Sequence, residues 1–235
     1  MPVPPRLRPL TREDLPRLSR WLAEPHVAHW WRDPSDLALV QASYLPCIDG
    51  TDPTEVFIIE AAGRAAGLVQ RYLVADDPDW DHAVRATGAA SGCGAGIDYL
   101  IGEPELCGRG YGTAAISAFS TLTFERYPQA DAVVAVPQQA NVASWRALER
   151  AGYSRWWAGR LESADPSDAG PAYLYGMRRP ATATAPGTPP ASRAGHSQPG
   201  DWNWSVTWLP TTTSAPGWPG SGSRRCCGTG PPATV

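Results

Sequence analysis

The chain is 235 residues long, which allows one domain of ordinary size with an appendage, or two small domains. Its 20 basic residues are all arginine and are outnumbered by 23 acidic residues, so the formal net charge is −3 and the composition argues against a nucleic-acid partner. No apolar run approaches the roughly 18–20 residues that cross a bilayer, and the N-terminal stretch lacks a signal-peptide pattern, so we expect a cytoplasmic protein with no membrane partner.

Helices and strands alternate along most of the chain. In chain order, the predicted elements are a strand at 6–10, a helix from Thr11 to Trp21, a helix after Asp33-Pro34 that ends by Pro46, strands at 56–59 and 67–74, a strand at 96–101, a helix at 113–127, a strand at 132–136, a helix at 142–151 and a strand at 172–177. Thr11 is the expected N-cap because Asp14 follows three residues later, and Gly63 marks a hairpin turn. Residues 75–93 are polar and acidic, which predicts a loop. The alternation indicates the α/β or α+β class with a mixed sheet.

Composition changes abruptly at Pro180. Of the 56 residues from there to the end, 40 are Pro, Gly, Ser, Thr or Ala, which predicts a folded domain at 1–179 and a low-complexity, disordered tail at 180–235. Four tryptophans in the tail leave a docking element open as the alternative. The predicted domain holds 17 arginines against 22 acidic residues, and this excess of negative charge favours a cationic small ligand.

A glycine-rich loop precedes the helix that starts at Thr113. Glycines at 108, 110 and 112 have no side chain, so a ligand can approach the backbone N–H groups of this loop closely. Free N–H groups at a helix N-terminus suit a pyrophosphate. A flexible strand-to-helix turn is the alternative interpretation. The loop is not a P-loop, because no lysine follows it, and it lacks the spacing of a dinucleotide-binding fingerprint.

Asp98 interrupts an apolar strand. The alternation of side chains places Asp98 and Leu100 on one face of that strand, and Ile97 and Tyr99 on the other. An ionised carboxylate in such a position must be paired or face a cleft, because burial without a partner costs several kcal/mol. The alternative is an aspartate that caps a turn at the end of the strand.

The glycine loop and the stretch Pro137–Tyr153 together resemble the GNAT acetyltransferase superfamily, most closely its aminoglycoside 6′-N-acetyltransferase branch. Further matching stretches are Leu7–Thr11, Val27–Trp31, Tyr44–Pro46, Gly96–Asp98 and Gly170–Tyr173. The resemblance spans nearly all of residues 6–178. It implies the GNAT fold, in which helices flank a central mixed, mostly antiparallel sheet.

The resemblance also implies an activity. The chain would transfer acetyl from acetyl-CoA to a primary amine of an aminoglycoside, at the 6′-position, and so confer antibiotic resistance. Asp98 would be the catalytic residue, orienting the substrate ammonium and accepting its proton directly or through one water. The acetyl-CoA site would comprise Leu100, Ile101, Cys107, Gly108, Arg109, Gly110, Tyr111, Gly112, Thr113 and Asn141. The acceptor site would comprise Trp30, Trp31, Tyr44, Asp79, Trp80, Asp98 and Asp168.

The run Asp76–Asp81 bears on the acceptor. It places four carboxylates around Trp80, a composition that suits a polyamine sugar whose ammonium groups pair with carboxylates. Charge runs of this kind are also typical of solvated loops. Asn141 has two compatible roles, since its amide can reach the pantetheine arm while it N-caps the next helix.

Three positions depart from the family pattern. Cys107 stands where relatives carry Gln or Arg, and Val136 stands where the aminoglycoside branch can carry an acidic residue. Leu148 occupies the place of the tyrosine that protonates the departing thiolate in many relatives, and a leucine has no proton to donate. Solvent would then protonate the thiolate; Tyr111, Tyr153 or slow turnover are the alternatives.

Two other functions remain open on the sequence. A siderophore-type N-acyltransferase would share the early tryptophans and the glycine loop but tends to carry histidine where Asp98 stands. A catalytically weak acyl-CoA-binding sensor would explain Leu148 and Cys107. No metal is expected, because His26 and His29 lack a third ligand and the cysteines show no ligand-pair spacing. Both a monomer and a homodimer are compatible with the sequence.

Overall fold

The computed structural model describes residues 5–90, 94–163 and 165–180. The predicted domain at 1–179 is thus covered almost throughout, whereas the predicted tail lies outside the described residues except for Pro180. No helix in the described ranges is both long enough and apolar enough to cross a membrane.

Seven strands and six α-helices make up the described part of the chain. The strands are β1 (Arg6–Pro9), β2 (Glu55–Ala61), β3 (Arg64–Leu73), β4 (Gly94–Ile101), β5 (Ala132–Ala135), β6 (Ser154–Arg160) and β7 (Pro171–Arg178). The helices are α1 (Leu15–Ala23), α2 (Pro25–Trp31), α3 (Leu37–Asp49), α4 (Pro78–Ala86), α5 (Tyr111–Arg126) and α6 (Val142–Arg150). Short 3-10 turns occupy Arg12–Asp14, Val74–Asp76, Pro104–Leu106 and Pro166–Asp168.

The strands form one mixed sheet in the order β1-β2-β3-β4-β5-β7-β6. Neighbouring strands are antiparallel except β4 and β5, which run parallel. This confirms the prediction of an α/β (α+β) fold with a mixed, mostly antiparallel sheet. The β4–β5 ladder stops at the pair Gly96 and Val134, although β4 continues to Ile101. The two central strands therefore part in the middle of the sheet.

Apolar layers cover both faces of the sheet. On one face, Leu100 packs with side chains from α1, α2 and α3. On the other face, Ile97 packs with side chains from α5 and α6. Because side chains alternate along β4, Asp98 shares the face of Leu100 and Tyr99 shares the face of Ile97. Adjacent residues of one strand thus present a carboxylate and a phenol to opposite sides of the sheet.

The loop predicted at 75–93 is wrong for its first half, where α4 lies. Asp77 N-caps this helix by accepting hydrogen bonds from the backbone N–H groups of Asp79 and Trp80 at 3.0 and 3.1 Å. Pro78 suits the first helical turn, because a proline there gives up no intrahelical hydrogen bond. The acidic residues that indicated a solvated loop therefore cap and begin a helix, where their charge opposes the helix dipole.

Two further elements were not predicted. α2 has seven residues, too few for a periodic pattern, and ends at Arg32 in a left-handed conformation with φ of 59°. β6 lies at the edge of the sheet and its run Ser154–Arg160 lacks the two-residue alternation of a half-buried strand. In addition, α3 continues through Pro46 to Asp49 instead of ending by the proline.

Asp14 joins β1 to the start of α1. Its carboxylate accepts hydrogen bonds from the Arg8 guanidinium at 2.6 and 2.7 Å, and from the Thr11 hydroxyl and backbone N–H at 2.8 and 3.1 Å. The predicted pairing of Thr11 with Asp14 is confirmed, although a 3-10 turn follows it and α1 starts only at Leu15. Burial acts to raise the pKa of Asp14, but the bonds from Arg8 and Thr11 outweigh it and hold the pKa at about 2, below the ordinary 3.8.

Asp14→Asn is expected to lower the free energy of unfolding by about 2 kcal/mol near neutral pH. The carboxylate's contribution is fully present above 3.8, its value in the unfolded chain, and is lost as pH falls through about 2. Urea unfolding of both proteins at neutral and at strongly acid pH measures the difference. Asp49→Asn, which removes a half-exposed pair with Arg12, is the control and should cost under about 1 kcal/mol. A pH-independent loss at Asp14 would contradict this account.

Candidate active site

A central cleft opens where β4 and β5 part. Its lining residues are Trp30, Trp31, Ile97, Asp98, Tyr99, Ala135, Val136, Pro137, Gln138, Asn141, Ser144, Ser167 and Asp168. They belong to α2, to β4, to the exit of β5, to the start of α6 and to the 3-10 turn before β7. The central cleft therefore brings together five of the predicted site residues: Trp30, Trp31, Asp98, Asn141 and Asp168.

Asp98 is held at the cleft by a side chain on the neighbouring strand. Gln70 stands directly opposite it in the β3–β4 ladder, and the Gln70 Nε2 donates a hydrogen bond to Asp98 Oδ2 at 3.0 Å. Gln70 is 0% exposed, and its Oε1 has no hydrogen-bond partner among the described residues. Gln70 was not predicted as a site residue, although a polar residue inside the predicted strand at 67–74 was a usable signal.

The 3-10 turn Pro166–Asp168 forms another wall of the central cleft. The Arg32 guanidinium donates to the Pro166 carbonyl at 2.8 Å, and Gln138 Nε2 donates to the Ser167 carbonyl at 2.7 Å. Asp168 is buried and accepts a hydrogen bond from the Ser163 hydroxyl at 2.7 Å. The turn is therefore tied both to the end of α2 and to the segment that leaves β5, which fixes the Asp168 carboxylate at the cleft.

The charge of the central cleft is negative. Asp98 and Asp168 both line it, and none of the described lining residues is Arg, Lys or His. Trp30 lies beside them half-exposed, with its ring edge-on to His29 at a centroid distance of 4.3 Å. Two carboxylates next to an accessible indole form a surface that is complementary to an organic cation.

Three predicted acceptor residues do not reach the central cleft. Tyr44 on α3 and Trp80 on α4 are both buried in apolar clusters. Asp79 is exposed on the first turn of α4. Its neighbour Asp81 accepts a hydrogen bond from Arg85 Nε at 2.7 Å, one turn along the same helix. The acidic run around Trp80 thus caps α4 and pairs within it, and the structure does not place this run at the central cleft.

The glycine-rich loop leads into α5, which starts at Tyr111 rather than at Thr113. Gly108 and Gly110 have φ values of 71° and 86°, a left-handed conformation that favours glycine. Gly110 is the N-cap residue, and no side chain caps the helix and no acidic residue occupies its first turn. The residues Cys107, Gly108, Arg109 and Gly110 are exposed, and Tyr111, Gly112 and Thr113 follow in the first turn. These backbone N–H groups can meet an anion.

The end of β4 is anchored to α2. His26 Nε2 donates a hydrogen bond to the Ile101 carbonyl at 2.9 Å, and Leu100 is buried beside it. Ile101 lies beyond the β4–β5 ladder, which stops at Gly96, so β5 does not pair with it. Within the described residues, no group of three or more His, Cys, Asp or Glu side chains could hold a metal ion.

Asn141 starts α6 at the edge of the central cleft. Its Oδ1 accepts a hydrogen bond from the Ser144 backbone N–H at 3.2 Å, which confirms the predicted N-cap. Tyr99, which the sequence analysis did not single out, reaches the same helix from β4. Its hydroxyl lies 2.8 Å from the Ser144 hydroxyl and 3.2 Å from the Ser144 carbonyl. The hydroxyl of Tyr99 from β4 and the hydroxyl of Ser144 from α6 therefore meet on the α6 side of the central cleft.

Comparison with known proteins agrees with this geometry. The family model for the GNAT acetyltransferase domain matches residues 11–161. Aminoglycoside N(6′)-acetyltransferase type 1 of Klebsiella pneumoniae is 29% identical over 153 residues, which is 63% of this chain and 73% of that protein. The structure of aminoglycoside acetyltransferase AAC(6′)-Ib with coenzyme A and kanamycin is similar, with a TM-score of 0.62 and 28% identity over 74% of this chain and 95% of that one. The complex of AAC(6′)-Ib with paromomycin and acetyl-CoA has a TM-score of 0.63 and 27% identity, covering 75% and 94% of the two chains.

Proposed function

The chain belongs to the GNAT acetyltransferase family, and from that premise we propose that it transfers acetyl from acetyl-CoA to a primary amine of an aminoglycoside, at the 6′-position. The observation that supports this acceptor most directly is the pair of carboxylates, Asp98 and Asp168, in a cleft without a lining cation. An aminoglycoside carries several ammonium groups on a compact polar scaffold. Acetylation would convert one of them into a neutral amide and add bulk, which is the basis of the proposed resistance.

In the proposed reaction, Asp98 first pairs with the substrate ammonium. Gln70 occupies Oδ2 of this carboxylate, so Oδ1 is the oxygen that remains to face the acceptor. Asp98 accepts one proton, directly or through a water molecule, and the free amine then attacks the thioester carbonyl. The new C–N bond forms as the C–S bond breaks, and the second amine proton is lost to solvent. Trp30 and Asp168 orient the rest of the acceptor.

Acetyl-CoA would supply the acyl group as a thioester. We place its pyrophosphate at the N-terminus of α5, on the backbone N–H groups that follow Gly108, because this end has neither a capping side chain nor an acidic residue. Arg109 and Cys107 are exposed beside it. The pantetheine arm would follow Leu100 and Ile101 along the unpaired side of β4, towards Asn141.

Gly110→Asp is expected to weaken acetyl-CoA binding about tenfold or more, because a carboxylate is placed against the pyrophosphate and the left-handed backbone is strained. Calorimetric titration with acetyl-CoA measures the change. Gly88→Asp is the matched control: this glycine has a φ of 67°, also has no neighbour within 4 Å of an added Cβ, and lies after α4. Equal binding by both variants would argue against the proposed coenzyme site.

Gln70→Leu is expected to lower kcat/KM for the aminoglycoside about tenfold or more, since it removes the only described side-chain hydrogen bond to the Asp98 carboxylate. Acetyl-CoA affinity should not change. Gln139→Leu is the control, because the Gln139 amide donates to the Ala172 carbonyl outside the central cleft. Steady-state kinetics with kanamycin-type acceptors compares the variants, and a wild-type kcat/KM in Gln70→Leu would refute the positioning role.

The central test is release of free thiol from acetyl-CoA in the presence of kanamycin-type aminoglycosides. Release should depend on the amine and should disappear with an otherwise equal acceptor that carries a hydroxyl group at the 6′-position. Acetyl-CoA binding without release on any aminoglycoside would reject this function and favour the acyl-CoA-binding sensor. Release that persists with the 6′-hydroxyl acceptor would reject the 6′-amine as the site of acetylation.

A further inference from the structure

Tyr99 and Ser144 form a hydroxyl pair that the proposed reaction has not used. The Tyr99 hydroxyl contacts both the Ser144 carbonyl, at 3.2 Å, and the Ser144 hydroxyl, at 2.8 Å. A carbonyl can only accept, so both contacts are satisfied when Tyr99 donates to the carbonyl and the Ser144 hydroxyl donates to the Tyr99 oxygen. The phenol thus has a second hydroxyl placed to return a proton to it.

The position of this pair relative to Asp98 matters for an acyl transfer. Both Tyr99 and Ser144 line the central cleft, which lies where β4 and β5 part. Asp98 points to the α1–α3 side of the sheet, and Tyr99 points to the α5–α6 side, because they are consecutive in a strand. A carbonyl group bound between the parted strands would have a carboxylate on one side and a phenol on the other.

This arrangement of charges favours aminolysis of a thioester. The amine approaches the carbonyl carbon from one side and loses its protons there, whereas negative charge develops on the sulfur that leaves. The thiolate therefore gains from a proton donor on the side away from the base. In the proposed reaction the acceptor amine lies on the same side of the sheet as Asp98. The sulfur would then lie on the α5–α6 side.

The other side chains considered for this donor lie elsewhere, and protonation by solvent is the alternative that the variants below test. Leu148 is 0% exposed in the apolar cluster beneath α6. The Tyr153 hydroxyl is buried and bonded to the Ser120 hydroxyl at 2.6 Å, and Tyr111 packs against the cluster that contains Leu106. None of these residues lines the central cleft. The structure therefore favours neither tyrosine that the sequence analysis named.

We propose that Tyr99 is the catalytic proton donor to the coenzyme thiolate, with the Ser144 hydroxyl as its relay. The proposal rests on the proposed acetyl transfer. When the coenzyme is bound, the Tyr99 O–H turns from the Ser144 carbonyl towards the sulfur. As the C–S bond breaks, its electron pair stays on sulfur, and the phenol O–H bond breaks to give the S–H bond of the free coenzyme. The Tyr99 oxygen then takes a proton from the Ser144 hydroxyl, which solvent replaces at the cleft.

The protonation state of Tyr99 is consistent with this role. Burial raises the pKa of Tyr99 above its ordinary value, more than the hydrogen bond with Ser144 lowers it. The hydroxyls of Tyr153 and Tyr175, and the carboxylate of Asp98 on the opposite face of the sheet, also raise the pKa of Tyr99 and so favour its protonated form. At neutral pH Tyr99 therefore carries the proton that the step requires.

Tyr99→Phe tests the proposal, with Tyr153→Phe as the matched control from the same apolar cluster. We expect kcat for amine-dependent thiol release to fall about tenfold or more in Tyr99→Phe, with KM for acetyl-CoA changed by less than about threefold. Ser144→Ala keeps the backbone carbonyl and should lower kcat by about threefold. A wild-type kcat in both Tyr99→Phe and Ser144→Ala would overturn the proposal.

A second readout does not depend on turnover. Free coenzyme A is bound to each protein and its thiolate absorbance is followed against pH. If the Tyr99 hydroxyl contacts the sulfur, the thiolate appears at a higher pH in the Tyr99→Phe complex than in the wild-type and Tyr153→Phe complexes, and identical titrations would refute the contact. This titration separates the two proposals. If the protein acetylates no aminoglycoside but the thiolate titration still depends on Tyr99, the proposed acceptor is wrong and the contact between Tyr99 and the sulfur stands.

Discussion

Asp98→Asn is expected to lower kcat/KM for amine-dependent thiol release by about 100-fold or more. The asparagine amide has the size of the carboxylate but cannot accept a proton from the ammonium, and proton transfer by a positioned group contributes about 10²–10⁴-fold. Folding should not change, because Gln70 Nε2 can donate to the asparagine oxygen as it donates to Asp98 Oδ2. Thiol release is measured with kanamycin-type acceptors at saturating acetyl-CoA.

Two controls separate a catalytic loss from a general one. Acetyl-CoA affinity of Asp98→Asn should equal that of the wild type by calorimetry. Asp79→Asn, on the exposed first turn of α4, should retain full activity although the sequence placed this residue among the acceptor ligands. Full activity in Asp98→Asn would remove the proposed base, and a loss in Asp79→Asn of the same size would argue against the central cleft as the acceptor site.

Arg71→Met is expected to lower the free energy of unfolding by about 3 kcal/mol, since it removes two hydrogen bonds of a buried, charged guanidinium, each of which contributes about 1.5–3 kcal/mol. Arg71 is 2% exposed, and its guanidinium lies over the rings of Phe57 and Phe119 at 5.2 and 5.3 Å. Its Nε donates to Glu55 Oε2 at 2.8 Å and its Nη1 to the Leu122 carbonyl at 2.8 Å. Urea unfolding of the variant against the wild type measures the loss.

Arg126→Met is the matched control for Arg71→Met. Arg126 pairs with the same carboxylate, with its Nε 2.6 Å from Glu55 Oε1, but its side chain is 52% exposed. Solvent screening limits such a pair to under about 1 kcal/mol. Losses of similar size in the two variants would show that burial of Arg71 does not determine the contribution of this pair.

Most of the sheet could be predicted from the sequence, and the reasons for the failures are physical. β2, β3, β4 and β5 carry enough apolar residues on their buried faces to stand out. β6 lies at the sheet edge and alternates only weakly, so its pairing with β7 decides its conformation. α4 was missed because Asp77 and Asp79 were interpreted by charge alone, whereas Asp77 is a cap.

Residues of the candidate site were predictable where the residue type and its place in the sequence pattern were enough to indicate a role. Asp98 and Asn141 stood out as a carboxylate in an apolar strand and an amide before a helix, and both line the central cleft. Gln70 and Tyr99 did not, because their roles depend on strand register and on a contact with α6. Tyr44 is the converse case, since the sequence places it in a stretch that matches the family but the structure buries it in an apolar cluster.

The parting of β4 and β5 also bears on how the acceptor range of this protein can evolve. The proposed acceptor wall of the central cleft is built by α2 and the turn Pro166–Asp168, whereas the glycine-rich loop and α5 form the proposed coenzyme site. The sheet stands between the two, and β4 is the element they share. We therefore expect substitutions in this wall to change which amines are accepted while coenzyme binding is kept, so that the acceptor range can diverge separately from the acetyl donor.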